Sequence, residues 1–150
     1  MRDGTQSKIV ITVGLPGSGK STYLQRRGIN AISSDEIRRL LADDPTDQSI
    51  HSVVFATIRY LVRQRLRVGR PVTYVDATHL SRKERKPYLR MGVPVEALLF
   101  DTQLEVCIAR NAGRKRVVPE DAIRKMAKKF ERPSKEEGLS RVIVIAQETS

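Results

Sequence analysis

Residues 14–22 read Gly-Leu-Pro-Gly-Ser-Gly-Lys-Ser-Thr and follow directly on the apolar run 9–13. A turn needs one or two glycines. Three of them, ending on a lysine and two hydroxyls, suit a different task. Glycines let the backbone wrap an anion and point N–H groups inward. A helix opening at the end of the loop adds the positive end of its dipole. The stretch fits the G-x-x-x-x-G-K-[ST] pattern, and the strand before it and helix after it are the context that gives such a match meaning. In that reading Gly14, Pro16, Gly17, Ser18, Gly19, Lys20, Ser21 and Thr22 cradle a nucleoside triphosphate. Lys20 bridges the β- and γ-phosphates, and the Ser21 hydroxyl ligates Mg²⁺.

Three further groups fit phosphoryl chemistry. Asp76 ends the apolar run 72–75, where an acid helps hold Mg²⁺ and its waters; a capping or turn aspartate is the plainer alternative. Asp35 follows a short strand and opens a helix, which places it at the carboxyl edge of the sheet, and Arg38 lies three residues on along the same face. A carboxylate there can orient an attacking hydroxyl and take its proton, and an arginine beside it can hold an anionic acceptor. The same pair also reads as a helix-dipole carboxylate in an i,i+3 ion pair. The loop 109–119 carries Arg110, Arg114, Lys115 and Arg116 around Gly113. Cations of this kind surround the equatorial oxygens of a transferring phosphoryl group, or form an exposed basic loop that grips a nucleic-acid backbone.

Short β-branched runs alternate with longer helical periods, the signature of an α/β fold with a parallel sheet. Strands are expected at 8–13, 30–33, 71–76, 93–100 and 141–146. Helices are expected at 19–27, 34–41, 50–68, 81–90, 104–110 and from Pro119, whose fixed φ suits a first helical turn. Ser33 and Glu36 have the spacing of a capping box, and 111–118 reads as a basic loop.

The chain has 150 residues, 39% hydrophobic and 30% charged, which fits one soluble domain over residues 1–150. No apolar run approaches the roughly 18 residues needed to span a bilayer. The single cysteine, Cys107, forms no internal disulfide and reads as a small buried hydrophobe, consistent with a cytoplasmic setting. A net charge of +11 concentrates anionic partners, polyanions most of all. Arginines cluster at Arg59, Arg63, Arg65, Arg67 and Arg70, and basic residues again at Arg82, Lys83, Arg85, Lys86 and Arg90. With aromatics at 5%, phosphate contacts rather than base stacking should dominate any nucleic-acid binding.

GLPGSGKST, Ser34-Asp35-Glu36-Ile37-Arg38, Asp76-Ala77-Thr78-His79-Leu80, the arginine loop and Phe130-Glu131-Arg132-Pro133 resemble, in order and spacing, the kinase domain of the phage and bacterial 5′-hydroxyl polynucleotide kinases. The resemblance implies an adenylate-kinase-like three-layer fold with a small helical lid near 110–131. It implies ATP and Mg²⁺ as cofactors, and 5′-hydroxyl ends of DNA or RNA as substrate in nucleic-acid repair. It makes Asp35 the general base and Arg38 the acceptor clamp. Asp76, Thr78 and Arg85 join them as acceptor contacts, with Ser21 and Asp76 at the metal and Arg110, Arg114 and Arg116 in the lid. His79 stands where an asparagine is usual. Two other readings share the loop: a small-metabolite kinase, which does not need so much positive surface, and a nucleic-acid-binding protein without phosphotransfer, which does not need the set Lys20, Ser21, Asp35 and Arg114.

Overall fold

Lys8 and the five β-branched residues that follow it, together Lys8–Val13, form strand β1, and five of the six are buried. Such a strand must lie inside a sheet that is covered on both faces. The computed structural model describes residues 6–114 and 117–146 and shows that arrangement. Helix α1 (Lys20–Arg26) follows the glycine loop. Then come β2 (Ala31–Ser33), α2 (Ser34–Ala42), α3 (His51–Arg67) and β3 (Val72–Asp76). The chain continues with α4 (Arg82–Leu89), β4 (Val95–Leu99), α5 (Leu104–Ala112), α6 (Glu120–Lys129) and β5 (Arg141–Val144), with a 3₁₀ turn at Lys135–Glu137. The strands expected from sequence are all present, and their ends differ by one or two residues. The largest helical difference is at α5, which runs on to Ala112.

All strand pairs are parallel, in the order β2-β3-β1-β4-β5. The glycine loop therefore leaves the carboxyl end of the central strand, where the chain turns from one half of the sheet to the other, the place where open α/β sheets bind ligands. On one face Ile9, Ile11 and Val13 pack with Val54, Ile58 and Val62 of α3 and Tyr88 of α4. On the other, Val10, Leu98 and Phe100 pack with Tyr23 and Ile143. The capping expectation holds in half: the Glu36 N–H donates to Ser33 Oγ at 3.3 Å, while the Glu36 carboxylate pairs with Arg39 instead of returning to the cap.

Candidate active site

The loop is fixed from three sides. Gly14 N–H donates to the Thr78 carbonyl at 3.0 Å, and Thr102 Oγ1 donates to the Ser18 carbonyl at 3.0 Å. Gly17 has φ +84° and lies against the backbone of Cys107, whose carbonyl oxygen a Cβ would strike. Glycine is required there both for the left-handed backbone and for the close approach. Lys20 folds back into the loop: its Nζ donates to Gly14 O at 2.9 Å and Leu15 O at 2.8 Å. Burial pushes its ammonium down to about 8, against the pull of Asp76 and Asp35. An arriving phosphate would replace those carbonyls with a full charge and restore the ammonium.

Ser21 Oγ donates to Asp76 Oδ2 at 2.7 Å. Asp76 is nearly buried, and its second oxygen faces Thr12 Oγ1 at 3.5 Å. Thr12 is itself tied to Ala77, donating to the carbonyl at 2.7 Å and accepting from the N–H at 3.0 Å. A hydroxyl and a carboxylate in contact are hard oxygen donors and fit Mg²⁺, which keeps several waters and takes only one or two protein ligands beside the phosphates of its nucleotide. Among the described residues, no group of three or more His, Cys, Asp or Glu gathers into a self-sufficient metal cage.

A cleft of about 530 Å³ opens over this loop. Pro16, Gly17, Ser18, Gly19, Lys20, Ser21, Thr22, Asp35, Asp76, Thr78, Arg110 and Arg114 line it, together with Tyr23, Arg26, Phe100 and Ile145. The sequence thus anticipated most of the wall. The Arg110 guanidinium reaches over the loop, with Nη1 3.8 Å from where a Cβ on Gly19 would stand. Asp35 comes to the cleft because β2 pairs with β3 in a register that sets Ser33 against Asp76, and α2 begins at the next residue. Arg38 sits behind it, with Nη1 3.5 Å from Asp35 Oδ1. Gly14 shapes the loop from below: a Cβ there would meet Ser18 Oγ at 2.6 Å and Phe100 Cβ at 3.0 Å. Arg116 lies outside the described residues.

One expectation needs correcting. Arg85 is not an acceptor contact in this structure. It is fully buried; Nε and Nη2 donate to the Glu137 carboxylate at 2.6 and 3.1 Å. Nη1 and Nη2 donate to the carbonyls of His79 and Glu131 at 2.8 and 2.9 Å. A guanidinium so fully engaged binds the turn after β3 to the 131–137 segment. The arginines of 59–70 lie away from the cleft. Val72 pairs with Lys8, so the chain around Arg67 and Arg70 lies at the opposite edge of the sheet. Arg65 donates to Thr73 Oγ1 and the Val72 carbonyl at 3.0 and 2.9 Å.

Two residues have roles that the sequence did not give. Asn111, expected at the start of a loop, is buried at the end of α5 and ties that helix to Val118. Its Nδ2 donates to the Val118 carbonyl at 2.6 Å and its Oδ1 accepts the Val118 N–H at 3.0 Å. His79 is buried at φ +44°. One ring nitrogen meets the Thr12 carbonyl at 2.7 Å, the other Tyr88 Oη at 3.0 Å. A carbonyl only accepts, so Nδ1 carries the proton and Tyr88 donates to Nε2. Burial pushes the imidazole down to about 4, so it is neutral near pH 7 and ties the strand bearing the loop to α4.

A phosphate-cradling loop at the end of the central strand, a hydroxyl–carboxylate pair beside it and arginines over it define a P-loop site on a kinase-like α/β fold. The chain belongs to the AAA domain family, which matches residues 9–133. Transcription factor bHLH140 of Arabidopsis thaliana is 26% identical over 157 aligned positions, which cover 94% of this chain and 16% of the length of that protein. A chain in the structure of the Pnkp1/Rnl/Hen1 RNA repair complex superimposes with a TM-score of 0.69 at 21% identity, over 85% of this chain and 45% of that one. A gluconokinase from Sinorhizobium meliloti 1021 shares the fold at TM-score 0.59 and 18% identity, over 96% and 83% of the two chains. So does the Mycobacterium tuberculosis APS kinase CysC, crystallised with AMPPNP and APS, at 0.59 and 18%, over 95% and 91%. Among the described residues no helix is long and apolar enough to cross a membrane.

Proposed function

We propose that this chain transfers the γ-phosphate of ATP to a 5′-hydroxyl end of DNA or RNA. The observation that carries the reading is Asp35: a carboxylate on the wall of the same cleft as Lys20, Ser21 and the arginines, with a buried arginine directly behind it. Asp35 orients the acceptor hydroxyl and takes its proton as the new O–P bond forms and the bond from the γ-phosphorus to its bridging oxygen breaks, leaving ADP. Lys20 turns from the loop carbonyls to the β- and γ-phosphates, and Arg110 and Arg114 neutralise the equatorial oxygens. Mg²⁺ held by Ser21 and Asp76 would supply charge neutralisation at the phosphates. Arg38 holds an acceptor anion. The net charge of +11 favours a polyanionic acceptor over a small neutral one. The Pnkp1-containing RNA repair complex, similar in fold over 85% of this chain, supports the same choice.

The test offers γ-labelled ATP with a 5′-hydroxyl DNA oligonucleotide, its RNA counterpart and a panel of small alcohols. Label should pass to the nucleic-acid ends. Asp35→Asn should lower kcat by roughly 10²–10⁴ while ATP affinity holds, because the phosphate loop is untouched. Transfer to a small alcohol but to neither nucleic acid would overturn the reading.

A further inference from the structure

Residues 51–90, from the start of α3 to the cap of α4, hold ten lysines and arginines against two acids. Both acids are engaged: Asp76 accepts from Ser21 and Glu84 from the Leu80 N–H. Three of the cations are engaged as well, Arg65 on β3 and Arg82 and Arg85 at Glu137. Six of the rest line the outer sides of two helices. On α4, Lys83, Lys86 and Arg90 are exposed at spacings of three and four, which is one stripe. On α3, Arg63 and Arg67 are exposed four residues apart, and Arg59 is half-buried one turn before them. Among the described residues none of the six has a carboxylate within ion-pair distance. Exposed arginines elsewhere are paired: Arg39 with Glu36, Arg124 with Glu105 and Glu120, and Arg132 with Asp101. Like charges one turn apart repel, and a polyanion laid over them removes that repulsion. The two stripes belong to one surface. Val54, Ile58 and Val62 of α3 and Tyr88 of α4 pack on the same face of the sheet. The rings of Phe55, His79 and Tyr88 stand in a row with centroids 6.3 and 5.1 Å apart, so α3 and α4 lie side by side. Arg59 is one turn on from Phe55, on the side of α3 that turns to α4. Helix α4 begins at Arg82, four residues after Thr78 on the cleft wall, so the surface leads away from the mouth of the cleft. Tyr60, 60% exposed, stands among the α3 arginines.

We propose that the outer faces of α3 and α4 form a second nucleic-acid contact, separate from the cleft, which holds the backbone of the acceptor strand behind its 5′ end and stacks one base on Tyr60. This rests on the proposed function, which supplies the strand: the cleft takes its end and this surface its continuation. An acidic peptide would use the cations alone. A flat exposed ring among arginines fits a stacked base between phosphates, which favours a single strand. Such a contact reads backbone charge and a base face rather than sequence, so it adds affinity for length and not for a particular sequence.

Fluorescence anisotropy without ATP reads the binding of a 5′-hydroxyl DNA strand of about 20 nucleotides, longer than one site of this kind covers, and of a trinucleotide. Each phosphate neutralised on a single strand adds about 0.7 to the slope of log affinity against log salt. Lys83→Gln/Lys86→Gln/Arg90→Gln should therefore lose about 2 from that slope for the long strand, so that its affinity falls roughly 20-fold less than the wild type's between about 50 and 200 mM salt. Arg39→Gln/Arg124→Gln/Arg132→Gln lowers the net charge equally but removes cations already paired, and should keep the wild-type slope. Tyr60→Ala should weaken the long strand about fivefold or more with the slope unchanged, because stacking releases no counterion. The trinucleotide, which reaches only the cleft, should bind all four proteins alike. The proposal is overturned if the α4 variant keeps the wild-type slope, if the Arg39/Arg124/Arg132 variant loses as much, or if the trinucleotide is weakened as much as the long strand. It is also overturned if Tyr60→Ala binds the long strand as the wild type does, which would assign the surface to an acidic protein. A failed label transfer to nucleic-acid ends removes the proposed function. Transfer that succeeds while the α4 variant binds long strands normally removes only this surface.

Discussion

Glu137→Ala separates the structural account of Arg85 from a role in acceptor binding. Glu137 is the only carboxylate facing the Arg85 guanidinium among the described residues, at 2.6 and 3.1 Å, and the two side chains are 5% and 0% exposed. Removing it leaves a cation in a dry site with only the carbonyls of His79 and Glu131. Breaking a buried pair in this way costs about 3–5 kcal/mol. For a domain of this size each kcal/mol shifts Tm by roughly 2–4 °C, so melting should fall by about 6–20 °C. Arg85→Met should also destabilise, by stranding Glu137, whose other contacts are Arg82 Nε at 3.9 Å and the Ser134 N–H at 3.1 Å. The double variant Arg85→Met/Glu137→Leu should lose much less than the sum of the singles, because it strands no charge. Calorimetry or chemical denaturation on the four proteins completes the cycle. An acceptor-binding Arg85 would give the opposite pattern: normal melting in Arg85→Met with a raised acceptor KM. That pattern, or additive singles, would show that the buried pair does not anchor the 131–137 segment.

The Lys20 ammonium, depressed to about 8 by burial, should be restored to its ordinary range by bound triphosphate, so ATP affinity should fall as pH rises above about 8. Titration calorimetry across pH 7–9.5 should show this slope in the wild type and none in Lys20→Met. Gly17→Ala and Gly28→Ala both force alanine into positive φ, at +84° and +64°, but a Cβ meets the Cys107 backbone at the first and nothing within 4 Å at the second. Gly28→Ala should cost about 1–2 kcal/mol of stability from backbone strain alone, and Gly17→Ala clearly more, with a fall in kcat; equal losses in denaturant melts would count against the close packing of loop on α5.

The first half of the site was legible because its chemistry is local. A strand, three glycines, a lysine and a helix lie within 8–26, and each residue type is demanded by the phosphate it would meet. Asp35 was legible for a similar reason: a strand followed at once by a capped helix puts the second helical residue at the sheet edge. Arg85 was not. On a helix of sequence Arg-Lys-Glu-Arg-Lys-Pro-Tyr-Leu it reads as one more cation available to an acceptor, and the partner that buries it lies 52 residues on. The place of the arginines of α3 and the segment after it at the far edge follows from strand register, which charge spacing does not reveal. Asn111 carries no signal in sequence, since any polar residue fits the last turn of a helix and only the folded loop shows its amide pairing with Val118.

The two sides of the cleft are held differently, and the difference bears on the proposed phosphoryl transfer. The donor side is rigid: the loop is tied to Thr78 and Thr102, wedged on Cys107, and its lysine occupied by its own carbonyls until phosphate displaces them. The strand beneath it is anchored through His79, Tyr88 and Arg85 to the 131–137 segment. Fixed dipoles need no reorganisation as charge develops on the γ-phosphate. On the proposed acceptor side, Arg38 beside Asp35 has its Nε unmet instead. In the proposed function an anionic acceptor would pair with the Arg38 guanidinium. Binding energy from a phosphate remote from the reacting hydroxyl would then hold that hydroxyl against Asp35, which is how a non-reacting part of a substrate contributes to rate. An acceptor with the hydroxyl but no phosphate would lose that contribution and should react more slowly even when saturating.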